Sequence, residues 1–457
     1  MYKIGRHRMV GSYDGSERVP RVVVTSSRSA NAGGDLSYGL HSDDAGRDGP
    51  LPKTLVIQAG ARRGYVLPRM LEQAGALHAF HTTFAIPDRA PSLAVRLARQ
   101  AMPRRGATFD RRVVRGVPAD KVFPHASADI ARQVAERLGR DRMACRRIAS
   151  AALGRRTLAT LTPGADTVLA VDGNGGPDCL AALKARGLRI AVDIAVTPTA
   201  LDATAAAALV HPQWGRNIPS PAERAGLRDW YATAVAIADL VLYPSDGVLA
   251  GLRTLDTFDE NRARHVPYAL GTLTPRPAAT VPGRIFFAGS DPVRKGLPEL
   301  VAAVRRLGAG GPAVELVVAG LMPEAVRRLP ECDGVTFLGH VGSTRMAEEM
   351  AKADVFCLPS HAEGTAGVTL EALASGIPCV VTLAAGAPVA HGVDGLIVPE
   401  GNIDALAEAL AHVVGDRALR ARMADAALAR RGAFDPAVVR DTLIAVLAAP
   451  PPEATGR

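Results

Sequence analysis

Beyond residue 283 the sequence alternates short apolar runs with segments of helical periodicity, and this alternation restricts the possible folds most. The apolar runs include IFFA, VELVVAG, DVFCLP and PCVVT, and helix-forming stretches follow them. Continuous apolar strands that alternate with helices form parallel sheets covered on both faces. The sequence therefore predicts a doubly wound α/β domain in this part of the chain.

The preceding part of the sequence shows the same pattern less regularly. The run TLVIQ leads through the glycine loop AGARRG into a helical stretch, and TVLAV leads through DGNGGP into another. Loops at the carboxyl ends of such strands are where ligands of open α/β sheets bind. We therefore expect two doubly wound domains, with this division: a poorly ordered tail at 1–50, a first domain at 51–272, a linker at 273–283, a second domain at 284–435, and a final helix and tail at 436–457.

The cysteines and the hydropathy pattern narrow the class of protein. The five cysteines among the 457 residues are scattered without metal-ligand spacing, so we expect reduced core thiols and no metal site. No apolar run approaches the roughly 20 residues that span a bilayer, and the start of the chain lacks the apolar region of a secretory signal. These features predict a cytoplasmic protein.

The net charge of +9 indicates attraction to phosphate groups. Three partners carry such groups: a nucleotide-sugar, the anionic inner face of a membrane, and a nucleic acid. The basic stretches have no interleaved aromatic residues for base stacking, which argues against nucleic-acid binding. A solvated basic face is the simplest alternative.

The segment from Pro359 to Val381 combines a buried strand, a polar loop, a helix and a second strand. The free amides at the helix start, near Gly367, Val368 and Thr369, form a natural seat for a phosphate. Two carboxylates flank that seat. Glu371 would accept hydrogen bonds from a ribose and Glu363 from a sugar beyond the phosphates. The alternative is that Glu371 only complements the helix dipole and Glu363 is a solvated loop acid.

This segment resembles the region with two glutamates eight positions apart in retaining glycosyltransferases of family 4, which have the GT-B fold. The pattern of that family is met by the following residues: Pro359, Ser360, Glu363, Gly364, Leu370, Glu371, Ala372, Ala374, Gly376, Pro378, Val380 and Val381. The resemblance covers residues 53–445 and is strongest after 283. It implies an α/β protein of two Rossmann-like domains facing a central cleft, the first binding the acceptor and the second the nucleotide-sugar, with the final helix returning to the first domain.

The resemblance also implies a set of donor-binding residues in the second domain. In the segment AGSDPVRKG, Lys295 and Arg294 would neutralise the diphosphate, although Ser290 stands where the family has an arginine. Main-chain groups near His340 and Val341 would meet the base. The complete set of donor residues is Gly289, Arg294, Lys295, His340, Val341, Glu363, Gly364, Thr365, Gly367, Val368, Thr369 and Glu371. Within it, Glu363 and Lys295 are the predicted catalytic residues.

The first domain matches the family less well. Where many relatives have a histidine after a central strand, this chain has Asp193, which we include as a catalytic candidate; a turn residue is the alternative. The predicted acceptor-side residues are Gly60, Arg62, Tyr65, Asp172 and Asn174. His81 and His211 are interpreted as structural histidines.

The resemblance implies transfer of a sugar, with retention of its configuration, from a UDP- or GDP-sugar to a polysaccharide, lipid or small-molecule acceptor. No cofactor is expected, and the absence of an Asp-x-Asp motif agrees with a metal-independent reaction. Two alternatives stay open, and the departures at Ser290 and Asp193 favour the second of them. One is a sugar-nucleotide epimerase of the same fold, and the other is a catalytically silent GT-B binding protein.

Overall fold

The computed structural model describes residues 51–88, 112–215, 218–270, 280–308 and 313–450. The predicted tail at 1–50 and residues 273–279 of the predicted linker lie outside these ranges. The described strands form two large parallel sheets and one small two-stranded sheet.

The first large sheet has seven strands, and every neighbouring pair is parallel. Together with the small parallel pair β3 and β4, the strands are β1 Thr54–Gln58, β2 Leu77–Thr82, β3 Ile86–Pro87, β4 Val113–Val114, β5 Val122–Pro124, β6 Thr167–Val171, β7 Arg189–Asp193, β8 Leu240–Tyr243 and β9 Ala263–His265. The spatial order is β5-β2-β1-β6-β7-β8-β9. All residues of β1 and β6 are buried, as expected for central strands covered on both faces.

The second large sheet has six parallel strands. They are β10 Arg284–Ala288, β11 Glu315–Ala319, β12 Thr336–Gly339, β13 Val355–Leu358, β14 Cys379–Thr382 and β15 Gly395–Val398. Their order, β12-β11-β10-β13-β14-β15, reverses direction between β10 and β13. Such a reversal opens a crevice at the carboxyl ends of the two strands.

Helices connect these strands. The first half contains α1 Val66–Gln73, α2 Ala126–Arg137, α3 Arg142–Ala159, α4 Gly176–Ala185, α5 Ala200–Val210, α6 Pro221–Ile237 and α7 Asp246–Leu252. The second half contains α8 Leu297–Gly308, α9 Glu324–Arg327, α10 Ser343–Ala351, α11 Gly367–Ala374, α12 Ile403–Gly415, α13 Arg417–Arg430 and α14 Pro436–Ala448. No helix in the described ranges is long and apolar enough to cross a lipid bilayer.

Each half of the chain places one element in the core of the other half. From the C-terminal helix α14, Leu443 and Leu447 lie in the same apolar cluster as Val56 of β1, and Arg189 of β7 donates a hydrogen bond to the Leu447 carbonyl (2.9 Å). In the opposite direction, Trp214, which follows α5, is buried in the cluster around the second sheet. The two halves therefore share core residues as well as surface contacts.

The edge strand β9 consists of only three residues, Ala263–His265, and ends before the apolar segment VPYALG. The segment itself follows the strand, and the Tyr268 hydroxyl donates a hydrogen bond to the Ala195 carbonyl (3.2 Å). Because β9 lies at the edge of the sheet and is only partly buried, its RH dipeptide carries little of the apolar signal on which strand prediction depends.

Candidate functional site

The crevice of the second sheet lies between Gly289, which follows β10, and the loop that begins at Pro359 after β13. At its centre is Glu363, whose side chain is 14 % exposed. Its Oε1 accepts a hydrogen bond from Lys295 Nζ (2.7 Å) and forms an ion pair with Arg294 Nη1 (2.7 Å). Burial lowers the pKa of Arg294, but Glu363 and Asp291 raise it more, and the net direction is upward. Two basic side chains therefore converge on one carboxylate.

Glycines allow the lysine to reach this position. A Cβ atom on Gly289 would collide with Cδ of Lys295, so the lysine side chain runs directly over the glycine. Gly296 has a φ of +71°, and a Cβ there would collide with the Pro359 carbonyl. Both positions need glycine for close approach, and Gly296 also needs it for its left-handed backbone. The sequence AGSDPVRKG thus folds so that β10, its loop and the Glu363 loop are in contact.

The second glutamate has a different environment. Glu371 lies one turn into α11, and burial raises the pKa of its carboxyl group. No described residue forms a hydrogen bond or ion pair with that carboxylate. At the N-terminus of the same helix, Ala366 provides no side-chain cap, Gly367 is exposed, and the space beside its Cα is open. The helix therefore presents free amides and an unpaired carboxylate on adjacent turns.

The other predicted donor residues surround this centre to different degrees. His340 is exposed after β12, and the neighbouring Val341 is 9 % exposed. Thr369 is fully buried, and its hydroxyl has no partner among the described residues. Ser290 supplies no charge to the crevice. Its Oγ accepts a hydrogen bond from the Leu321 amide (3.2 Å).

The Glu363 loop also contacts the first half of the chain. Ser245 Oγ donates a hydrogen bond to the Gly364 carbonyl, and Thr365 Oγ1 donates one to the Pro244 carbonyl (3.3 Å). A Cβ on Gly364 would collide with the Ala195 carbonyl. Ala195 follows β7, so the carboxyl edges of the two large sheets meet at this loop.

The predicted acceptor-side residues lie at the equivalent place in the first sheet, between the ends of β1 and β6. Arg62 forms an ion pair with Asp172, whose Oδ1 also accepts hydrogen bonds from Tyr231 Oη (3.0 Å) and the Ala195 amide (2.9 Å). Asn174 is buried and donates to the Val171 carbonyl (2.5 Å). Protein groups therefore occupy the Asp172 carboxylate and the Asn174 amide nitrogen.

Asp193, at the end of β7, is also paired. Its Oδ2 accepts a hydrogen bond from Arg63 Nη2 (2.7 Å), and the same guanidinium stacks over the Tyr268 ring at 3.8 Å from the centroid. Arg63, Gly64 and Tyr65 form a left-handed turn, with φ values of 50°, 58° and 61°. Left-handed backbone is strained for the two residues that carry a Cβ, and such strain concentrates at functional sites.

The two histidines interpreted as structural are both in contact with other side chains. His81 Nδ1 lies 3.0 Å from His125 Nε2, its ring stacks on Phe123, and burial lowers its pKa to about 3. His211 Nε2 lies 3.0 Å from the Glu299 carboxylate.

Sequence reasoning missed several residues at the site. Ser245, Ala195 and Tyr268 contact the Glu363 loop or its neighbours, yet none of them belongs to the motif that identified the loop. The sequence contained one signal for them, because Pro244 and Ser245 directly follow the apolar strand β8 and Tyr268 lies in the short apolar segment VPYALG. Among the residues the structure describes, no group of three His, Cys, Asp or Glu side chains is arranged to hold a metal ion.

The sequence of the second half matches a known family. Residues 282–416 match the family model described as "Glycosyl transferases group 1". One relative is a GDP-mannose-dependent alpha-(1-6)-phosphatidylinositol monomannoside mannosyltransferase of Mycobacterium tuberculosis, 36 % identical over 139 residues. That match covers 27 % of this chain and 36 % of the relative, so the chain matches about a third of the relative's length. The resemblance to group 1 glycosyltransferases is confirmed.

Solved structures with a similar fold cover far more of the chain. Sucrose-phosphate synthase from Thermosynechococcus elongatus has a TM-score of 0.58 at 17 % identity, over 87 % of this chain and 98 % of that one. The Anabaena protein HepE, solved with UDP and glucose, has a TM-score of 0.54 at 17 % identity, over 87 % of this chain and all of that one. The GT-B fold implied by the sequence is therefore confirmed.

Proposed function

Since residues 282–416 match group 1 glycosyltransferases and the chain has the GT-B fold, we propose that this protein transfers a sugar from a nucleotide-sugar to an acceptor. One observation carries the proposal. The half-buried Glu371 carboxylate has no partner among the described residues and follows an uncapped helix N-terminus. Glu363, in the loop before this helix, is paired with Lys295 and Arg294. A ligand that carries both hydroxyls and phosphates complements this combination.

In the proposed complex, the diphosphate lies against the first amides of α11, near Gly367 and Val368. The ribose hydroxyls donate to Glu371, and the transferred sugar lies beside Glu363. Main-chain groups near His340 and Val341 meet the base. Each hydrogen bond to an ionised acceptor contributes about 1.5–3 kcal/mol, so the loss of either carboxylate weakens the complex markedly.

Catalysis in this proposal consists of positioning and charge stabilisation. When the bond between the anomeric carbon and the diphosphate breaks, negative charge develops on the leaving group beside Lys295 and Arg294. Fixed cations and helix amides in a site that excludes water stabilise such charge. We propose that the acceptor oxygen bonds to the same face of the sugar, with retention, while its proton passes to the departing diphosphate, and that the reaction needs neither a metal ion nor a cofactor.

Thermal unfolding with nucleoside diphosphates tests the donor site. We expect one of UDP, GDP, ADP and dTDP to raise the melting temperature, and Glu371→Gln to remove most of that increase. Glu408→Gln is the matched control because Glu408 is an exposed acid on a helix of the same half. If none of the four stabilises the native protein, the assignment of the donor site is wrong.

Turnover without an acceptor distinguishes the alternatives. GDP-mannose is the first donor to test because the M. tuberculosis relative depends on it, and UDP-glucose is the second because HepE was solved with UDP and glucose. Slow release of free sugar that keeps the donor's anomeric configuration in NMR spectra, unaffected by EDTA, is the expected result. A donor converted to its epimer would identify an epimerase, and stabilisation without turnover a silent binder.

We also propose that the acceptor is presented at an anionic membrane surface on the cytoplasmic side. Ile130 and Val134 of α2 and its C-cap residue Leu138 recur every fourth position and are 59 %, 48 % and 70 % exposed. The hairpin of α2 and α3, residues 126–159, carries eight arginines and three acidic residues. Exposed apolar residues beside clustered arginines are typical of helices that lie in a lipid interface.

The first turns of α3 lie near the crevice of the first sheet, because Arg146 Nη2 donates a hydrogen bond to the Asp172 carbonyl (3.1 Å). We therefore expect the protein to float with phosphatidylglycerol vesicles and not with phosphatidylcholine vesicles. Leu138→Ser should reduce flotation several-fold, whereas Leu209→Ser, an equally exposed leucine on α5, should leave it unchanged. Equal losses in both variants would contradict the proposed surface.

A further inference from the structure

A buried acid lies behind the Glu363 loop in a position that no motif marks. Glu299 is in the first turn of α8 and is only 3 % exposed. Its Oε1 lies 2.8 Å from His361 Nε2 and 3.0 Å from His211 Nε2. Its Oε2 is buried and has no hydrogen-bond partner among the described residues. Buried carboxylates are rare unless they are paired, so the two histidines account for the retention of this one.

The two histidines come from different halves of the chain. His361 lies two residues before Glu363, in the loop of the second crevice. His211 is the C-cap residue of α5, and the end of this helix packs into the core around the second sheet through Ala207 and Ala208. Glu299 therefore joins helix α5 of the first half to the Glu363 loop.

The same loop is held at its other side by the residues that precede α8. The His361 amide donates to the Arg294 carbonyl (2.8 Å), Arg294 Nη1 donates to the Ala362 carbonyl (2.8 Å), and Lys295 binds Glu363. These bonds hold the loop against the segment before α8, while the Glu299 contact fixes the direction of the His361 side chain. Glu363 follows the two restrained residues, His361 and Ala362.

We infer that Glu299 is a positioning residue, which orients the Glu363 loop through His361 and couples this loop to the first half of the chain through His211. This inference rests on the proposed glycosyltransferase activity and deepens it. Burial raises the pKa of Glu299, but hydrogen bonds from the two histidines lower it more, to about 2, so the carboxylate is ionised at neutral pH.

The test compares turnover with product binding in Glu299→Leu, His361→Leu and His211→Leu. Misplacement of a reacting group by about 1 Å reduces rates up to about 100-fold, so we expect kcat for donor hydrolysis to fall about 10- to 100-fold. The affinity for the nucleoside diphosphate should stay within about threefold, because Glu371 and the α11 amides are not displaced. His361→Gln, whose amide nitrogen replaces Nε2, should restore most of kcat. His412→Leu, at an exposed histidine on α12, is the matched control.

Hydrogen exchange of the peptide that contains residues 359–366 provides a readout that does not require activity. Glu299→Leu and His361→Leu should accelerate exchange there, and His412→Leu should not. Unchanged protection of this peptide would overturn the inference even if the wild-type protein proved inactive. Equal losses of turnover and diphosphate affinity would also overturn it, since they would indicate general destabilisation. So would one equivalent of a metal ion that is lost in His211→Leu, because the cluster would then be a metal site.

Discussion

The two large sheets present acidic residues at the same topological position, but the surroundings of these acids differ. At the first crevice, Asp172 is bonded to Arg62, Tyr231 and a backbone amide, and Asp193 is bonded to Arg63. At the second crevice, Glu363 is paired with two cations, whereas Glu371 has no partner among the described residues. The same topology therefore places satisfied acids at one edge and an unsatisfied acid at the other.

This difference separates two ways of binding a polar ligand. The second crevice is prepared in advance, because a hydroxyl that reaches Glu371 displaces no protein group. At the first crevice, an acceptor hydroxyl that binds Asp172 or Asp193 must compete with the existing ion pairs of Arg62 and Arg63. Pre-organised sites bind more tightly because fewer interactions are lost on association. We therefore expect strong nucleotide binding and weak acceptor binding.

The largest expected effect comes from removing a cation of the second crevice. Lys295→Met should lower the turnover of the donor about 10²- to 10³-fold, the loss typical for one group that stabilises developing charge. Steady-state hydrolysis of the nucleotide-sugar measures it. Lys352→Met is the control, since this exposed lysine of the same half pairs only with Glu349 among the described residues. Arg62→Met should reduce hydrolysis far less, and an equal loss would break the comparison between the crevices.

The next largest effect concerns Glu371. Glu371→Gln should weaken nucleoside diphosphate binding about 10- to 100-fold, because a neutral acceptor holds ribose hydroxyls less strongly than an ionised one. Burial raises the pKa of Glu371, so affinity should also fall on acidification, and the carboxylate should become protonated at a higher pH than an exposed glutamate does. Calorimetric titration over a series of pH values measures this change. A decrease of equal size in the Gln variant would show that protonation of the diphosphate causes it.

The same residue should affect the stability of the unliganded protein in the opposite direction. Because its pKa is higher in the folded state, Glu371 favours folding at low pH, and this contribution is lost as the pH rises through the folded-state pKa. At pH 7 the ionised carboxylate is therefore unfavourable for folding. Glu371→Gln should raise the melting temperature at pH 7, and the difference should become smaller on acidification.

The architecture and much of the second crevice could be predicted from the sequence, but less of the first crevice. Short apolar strands that alternate with helices predict parallel sheets directly, and the glutamate motif lies within one continuous segment. The partners of Asp172 and Asp193 are remote, since Arg63 and Asp193 are 130 positions apart. Periodicity carries no information about such pairs. The burial of Glu299 could not be predicted from the sequence either, because an acid on a helix is normally expected on the solvent face.

A smaller effect is expected from the satisfied acid of the first crevice. Asp172→Asn should lower the free energy of unfolding by about 2 kcal/mol, because it weakens hydrogen bonds to a charged acceptor. Chemical denaturation measures this loss, and nucleoside diphosphate affinity should change less than threefold. Asp178→Asn, at an exposed acid near the start of α4, is the control. The pair Asp172→Asn and Glu371→Gln should thus shift unfolding in opposite directions.

The smallest effect is expected at Ser290, where the family has an arginine. Ser290 Oγ accepts one hydrogen bond, from the Leu321 amide, and Leu321 is itself 63 % exposed. Water can replace an exposed bond of this kind, so Ser290→Ala should lower the free energy of unfolding by less than about 1 kcal/mol. Donor turnover should change less than threefold, because Arg294 and Lys295 already supply two cations to the crevice. If Ser290→Arg raised turnover more than tenfold, these two cations would be insufficient, and the second crevice would be less completely prepared than its geometry indicates.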